Sequence, residues 1–285
     1  MRTDANEIVV GYDGSPQARD ALRLGELLAR TAGARLLVAR VEHESQGVEA
    51  LSAEVEELLS QAGTPFEPVV LDGGSAPRAL HELADTDPKI GLIVLGSTHR
   101  AGLGRVLPGS TAQRLLSGAP CAVAVAPRGF AGSDEGPISP ADDLLVIGVG
   151  FSGTAESSAA LELGARLAGL IHATLRVIAI TGVVSATDET MAAAREHGAV
   201  DYRLDLQALL LDRVAELPDE LRAQPIFKRG DPGTVLLAQA GQGIDLMVIG
   251  SRGYGPVKAA LLGGVSARVV TEAPCPVLVT PRSSV

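Results

Sequence analysis

At 285 residues the chain is long enough for two ordinary domains with buried cores. Its hydrophobic fraction is 46% but only 2% is aromatic, with no Trp, so the core is expected from Ala, Val, Leu and Ile, as in parallel strands covered by helices. The formal net charge of −10 excludes a non-specific nucleic-acid binder, which needs a basic surface, and no apolar run approaches the roughly 20 residues that cross a bilayer.

In chain order, Ile8-Val9-Val10 predicts a first strand, and Gly11-Tyr12-Asp13-Gly14-Ser15-Pro16 a turn leading into a helix. Ala18, Ala21, Leu22, Gly25, Leu28 and Ala29 follow helical spacing up to Gly33. Residues 36–41 read as a second strand, 48–62 as a helix, 67–71 as a third strand and 76–84 as another helix. A fourth strand, Leu92-Ile93-Val94-Leu95, then runs into a glycine loop, a helix, Ala119-Pro120-Cys121 and a last strand at 122–126. Residues 128–143 are rich in Gly, Pro, Ser and Asp and read as a linker.

The order then repeats. Residues 144–149, 175–180 and 225–228 read as strands one to three of a second unit. Ala159-Ala160-Leu161-Glu162-Leu163-Gly164 echoes Asp20-Ala21-Leu22-Arg23-Leu24-Gly25. Residues 181–221 form a longer counterpart, expected to carry one or two amphipathic helices. Leu246-Met247-Val248-Ile249 leads to a second glycine loop, and 277–280 closes the unit. Alternating strands and helices predict two tandem doubly wound parallel sheets, with domains at 1–128 and 142–285 joined through 129–141. Cys121 and Cys275 fall at matching positions and read as buried small hydrophobes.

The glycine loops carry the chemistry. The first has Gly96 and His99, then nine residues, then Gly109-Ser110; the second has Gly250 and Gly253, then nine residues, then Gly263-Gly264. Glycines past a parallel strand let backbone N–H groups approach an anion, and the next helix adds its dipole. A strand order of 3-2-1-4-5 would put the ligand where the order reverses, between strands one and four, bringing Asp13 and Gly96 together. The two last strands would leave apolar edges open, so they are expected to pair antiparallel.

This arrangement, with an Asp-Gly-Ser turn, a spaced glycine loop and Ala-Pro-Cys before the last strand, resembles the universal stress protein family in its tandem form. The resemblance covers nearly all of both halves. It implies the adenine-nucleotide α-hydrolase-like fold, with ATP, with or without Mg²⁺, as ligand. Carried over by motif, the nucleotide residues of the first half are Gly11, Tyr12, Asp13, Val41, Gly96, His99, Arg100, Gly109, Ser110 and Thr111. Those of the second are Gly250, Gly253, Gly263, Val265 and Ser266. Asp13 matches the family's nucleoside-side acid, Val41 the adenine border, and Ser110 the phosphate-side hydroxyl. Both halves depart from the pattern. His99 stands where the family has a glycine; in the second half Gly264 replaces the hydroxyl residue and Ser152 the Asp. The first half is therefore expected to bind ATP more tightly. The resemblance also implies pairing through the last strand, a homodimer and an unidentified protein partner.

No Walker lysine follows the loops and no general base is evident, so a cytoplasmic signalling module without catalytic residues is expected rather than a fast enzyme. The polar start at residues 1–7 lacks the apolar stretch of a signal peptide. A nucleotide-free interaction module of the same fold stays open. Gly148-Val149-Gly150-Phe151-Ser152-Gly153 matches a dinucleotide fingerprint, but strand two of that half, Arg176 to Thr181, ends without the acid that a ribose needs. An adenylating enzyme would want Ser-Gly-Gly-x-Asp-Ser or His-x-Gly-His, and Gly11 to Ser15 is neither.

Overall fold

The computed structural model describes residues 5–42, 47–72, 74–132, 144–182, 199–251 and 262–281, and the backbone alone at 199–204. The first half runs β1 (Glu7–Gly11), α1 (Pro16–Ala32), β2 (Arg35–Glu42), α2 (Val48–Leu59), β3 (Phe66–Asp72), α3 (Ala76–Thr86), β4 (Ile90–Gly96), α4 (Ser110–Gly118) and β5 (Ala122–Ala126). The second runs β6 (Val146–Phe151), α5 (Ala155–Ile171), β7 (Thr174–Thr181), α6 (Ala199–Ala215), a 3₁₀ turn, β8 (Gln224–Arg229), α7 (Pro232–Ala240), β9 (Leu246–Gly250), α8 (Gly264–Glu272) and β10 (Val277–Thr280).

All ten strands form one sheet in the order β3-β2-β1-β4-β5-β10-β9-β6-β7-β8. Each half is parallel throughout and has the expected order. The halves meet where β5 and β10 pair antiparallel, with Val125 opposite Val277 and Val123 opposite Val279. That pairing removes the two apolar edges that the sequence would otherwise expose. The remaining edges, β3 and β8, carry Pro68 and Pro225 opposite Val38 and Val177. A proline there withholds an N–H from any strand adding to the sheet.

Period-two alternation divides each strand between two cores. Ile8, Val10, Leu36, Val38 and Val94 face α1, α2 and α5, whereas Val9, Leu37, Ile93 and Leu95 face α3 and α4. Leu22, Leu24, Leu27 and Leu28 of α1 are fully buried, each contributing about 1.5–3 kcal/mol of burial before entropy is charged against it. Both cysteines are buried and neither forms a disulfide, and burial pushes the Cys275 thiol up to about 12.

Helix ends follow local chemistry. Ser15 caps α1 by accepting from the Ala18 N–H, with Pro16 in the first turn. Gly33 closes α1 at φ 59°, but its counterpart closing α5 is His172, at φ 56°. Two elements that fall short of the expected bounds show a local cause. The strand expected at 144 starts at Val146, because Leu145 N and Val146 N both donate to the Asp245 carboxylate before the ladder begins. Helix α2 stops at Leu59 rather than 62, where the Ala62 and Gly63 N–H groups both turn back to the Leu59 carbonyl.

Candidate functional site

Parallel β1 and β4 lie side by side, with Val10 opposite Val94, so the turn after β1 and the loop after β4 emerge at one sheet edge. The first turn needs Gly14 at φ 81°, as its counterpart needs Gly153 at φ 76°. Asp13 is exposed; one carboxylate oxygen accepts from Ser15 N at 3.0 Å. Because Ser15 itself caps α1, the Asp13 carboxylate is not the helix cap.

Gly96 has a tighter role than a phosphate contact. A Cβ there would sit 2.0 Å from the Gln17 carbonyl oxygen, so the glycine lets the start of α1 lie directly against the end of β4. Gly250 repeats this against Glu156, where the nearest backbone atom would be at 2.8 Å. Gly11 is likewise a packing position, with Leu95 and Leu80 filling the space of a side chain.

The first glycine loop is closed at its base. The buried Ser97 hydroxyl donates to the Ala126 carbonyl at 2.7 Å and accepts from Leu107 N at 3.1 Å, while Thr98 N donates to Leu107 O. His99 and Arg100 are exposed at the tip, and Arg128 Nη1 donates to the carbonyls of His99 and Ala101. His99 is not strained: among the described residues only His172 and Arg222 are non-glycines with positive φ. The histidine in place of a family glycine therefore costs no left-handed strain.

The loop delivers the chain to α4. Gly109 is the N-cap at φ −76° and ψ 178°, with no side-chain hydrogen bond. The first N–H groups of a helix have no intrahelical partner, and here the cap residue has no side chain to cover them. Ser110 is exposed in the first turn, and Thr111 is half-buried beside it. This set fits an anionic phosphate: uncapped donors, a helix dipole and an adjacent hydroxyl. Among the described residues no three His, Cys, Asp or Glu side chains gather to hold a metal.

The second half is built alike but furnished differently. Gly263 caps α8 without a side chain, and a Cβ on Gly264 would meet nothing within 4 Å. A hydroxyl is thus missing from space that is open for one. Ser152 lies near the Thr154 hydroxyl, at 3.4 Å, and Thr154 caps α5. Ser266, carried over as a ligand residue, is buried and donates to the Gly250 carbonyl at 2.7 Å; Val265 is half-buried against the core. Gly253 lies outside the described residues.

Sequence reasoning missed one polar cluster. Tyr12 is buried, and its hydroxyl donates to Glu54 Oε1 at 2.7 Å. Arg40 pairs with the other Glu54 oxygen and lies 5.2 Å from the Tyr12 ring centre. Burial, then the bond to Glu54, pushes the Tyr12 phenol well above its usual range. Burial opposes ionisation of Glu54, but the bonds from Arg40 and Tyr12 outweigh it and hold the carboxyl below its ordinary value. The cluster walls a cavity of about 250 Å³ lined by Tyr12, Gly14, Pro16, Arg19, Glu54 and Glu57. Half-buried Val41 is the next residue along β2 from Arg40. No local motif marks these contacts, because Tyr12 and Glu54 are 42 positions apart.

The dinucleotide reading fails on placement. Gly148 and Gly150 lie inside β6, paired with Arg176 and Ile178, whereas a fingerprint glycine must follow its strand.

Fold and site together define a duplicated doubly wound α/β protein with a glycine loop at the carboxyl edge of each half. The sequence profile of the universal stress protein family matches residues 5–127 and again 145–281. The chain belongs to that family, in tandem form. A universal stress protein of Mycolicibacterium smegmatis is 38% identical over 130 residues, covering 43% of this chain and 99% of the relative. A second from that organism is 30% identical over 203 residues, or 69% of this chain and 64% of the relative. Among solved structures, a universal stress protein of Archaeoglobus fulgidus aligns with a TM-score of 0.68 at 19% identity, over 98% of this chain and 99% of that one. A Pseudomonas aeruginosa structure described as a putative universal stress protein gives 0.69 at 17%, over 97% and 93%. At those identities the structures speak for the fold. Among the described residues no helix is long and apolar enough to cross a membrane.

Proposed function

We propose that this protein is an adenine-nucleotide-binding stress-response module that holds ATP in its first half and acts through conformation and partner contacts. The observation that carries this is the uncapped start of α4, with Ser110 exposed in its first turn, at the sheet edge where the Asp13 turn also emerges. Bound there, ATP supplies a triphosphate whose charge the α4 N-terminus meets. Ser110 and the first N–H groups of α4 would donate to phosphate oxygens, Asp13 would accept from a ribose hydroxyl, and Val41 would border the adenine. The reading is of a binder rather than a fast catalyst, with turnover far below the roughly 10 per second of ordinary enzymes.

For the second half alone, the nucleotide-free alternative is favoured, because Ser152 and Gly264 replace both polar partners. The same reading places the protein in the cytoplasm, pairs the chain with a second copy and assigns it a protein partner. Sedimentation velocity tests the pairing.

Mass spectrometry of small molecules released from freshly purified, denatured protein tests the ligand. The expected result is an adenine nucleotide, with calorimetry on the stripped chain giving one tight site. No nucleotide in either experiment would sink the proposal.

A further inference from the structure

Two clefts cross the seam between the halves, and they are counterparts in the internal repeat. The first, about 390 Å³, is lined by Arg23, Leu27, Phe130, Leu144 and Pro276, among others. The second, about 340 Å³, has Arg166 where the first has Leu27 and Ala122 where it has Pro276.

The chain furnishes the first cleft itself. Gly129 N and Ala131 N donate to the two oxygens of Asp20 at 2.9 and 2.7 Å, which pins the turn between them. The Phe130 ring is thereby set beneath the Arg23 guanidinium, 5.7 Å from its centre. An apolar group under a cation is what this half of the seam holds.

Among the described residues the second cleft shows neither device. Asp20 is matched by Ala159, and Phe130 by Ser284, which lies outside the described residues. Its walls are apolar, from β1, β4, β10 and the facing helices α1 and α5. Arg166 stands exposed at the rim with no hydrogen bond or ion pair among the described residues. The other charged lining group, Glu7, is buried and already paired with Arg35, so it offers little net repulsion to an incoming anion. Leu170 at the mouth is 56% exposed.

We propose that this second cleft binds an amphipathic monocarboxylate, a medium-chain fatty-acid anion. Its tail would lie against Ile8, Leu28, Leu92, Leu163, Leu167 and Leu278, and its carboxylate would take the planar fork of Arg166. The volume lies within the range of small-molecule pockets. A neutral apolar ligand would leave the guanidinium unused, and a polyanion would meet no second cation among the lining residues. The site is separate from the glycine loops, because β1 and β4 contribute their starts, Glu7 and Gly91, rather than their carboxyl ends.

Calorimetry of the full-length chain with octanoate, decanoate and decanol tests this. Decanoate should bind at one site per chain and tighter than octanoate, by about fourfold for each added methylene. Arg166→Gln should weaken decanoate about tenfold and leave decanol unchanged. Ala32→Phe should abolish both while the chain still melts cooperatively; if that variant does not fold, Arg166→Gln decides alone. Absence of decanoate binding, or binding insensitive to Arg166→Gln, would overturn the assignment.

Discussion

The two halves share a fold but differ in the polar residues expected to hold a ligand. In the first, Asp13 and Ser110 carry exposed polar groups at the site edge; in the second, their matches are Ser152 and Gly264. Among the glycines that persist in both, Gly96 and Gly250 let a helix start touch the end of a strand. What duplication has kept is the packing, and what it has let go is the polar set. Glycine spacing is thus evidence for architecture first and for a ligand only when its polar neighbours remain.

The sharpest way to break that comparison is Gly96→Val. A Cβ would fall 2.0 Å from a backbone oxygen that cannot swing aside, so the loss should reach or exceed the roughly 3 kcal/mol end of overpacking costs. Urea denaturation should show it, and ATP affinity should fall with the fold. A Gly96 variant that is stable but fails to bind would return this residue to the phosphate.

Asp13→Ala comes next in size. Because Ser15 caps α1, stability should hardly change, while ATP should bind about tenfold more weakly for loss of a charged acceptor. Calorimetry on this variant, and on the second-half double variant Ser152→Asp with Gly264→Ser, would show whether the polar set alone distinguishes the halves. If the double variant gains no site, something beyond these two residues separates them.

His172→Gly should add about 1 kcal/mol to stability, since a left-handed conformation costs a non-glycine residue about that much. Thermal melting would detect it, and the reverse change at Gly33 should cost a similar amount. Gly109→Ser should also stabilise slightly, as a better N-cap, while its hydroxyl occupies donors that a phosphate would use. Stability rising as affinity falls would place the anion at α4; affinity holding steady would remove it from there.

The smallest effect is on pH dependence. The Tyr12 phenol is raised in the folded state, so its stabilising contribution is complete below the ordinary value near 10 and is lost as pH climbs through the raised one. Ultraviolet titration should find one of the three tyrosines ionising late, and Tyr12→Phe should remove that phase.

Most of the fold was legible because it is periodic. Ile8-Val9-Val10 and Leu92-Ile93-Val94-Leu95 announce parallel strands buried on both faces, and the repeat supplies each element twice. The pairing of β5 with β10 followed from two apolar strands that needed a partner. What could not be read depends on contacts remote in sequence. Tyr12 meets Glu54 across 42 positions, and Arg105 reaches the Glu272 carbonyl across 167. The expected ligand residue Ser266 turned inward because a buried hydroxyl needs an acceptor and the Gly250 carbonyl lies 2.7 Å away. The Rossmann-like triplet, set aside from the sequence for want of an acid, shows a similar limit: spacing does not say whether a glycine lies within a strand or beyond it.

The antiparallel seam between β5 and β10 has a consequence for how such a molecule behaves on dilution. Between separate subunits that pairing would be a bimolecular equilibrium, lost as concentration falls. Tethered in one chain it is unimolecular, with a millimolar-scale effective concentration typical of short linkers. Identical subunits must also change together, since one gene writes both surfaces. A fused pair is released from that constraint, so one half can specialise in its ligand while the other keeps only the shape that completes the sheet.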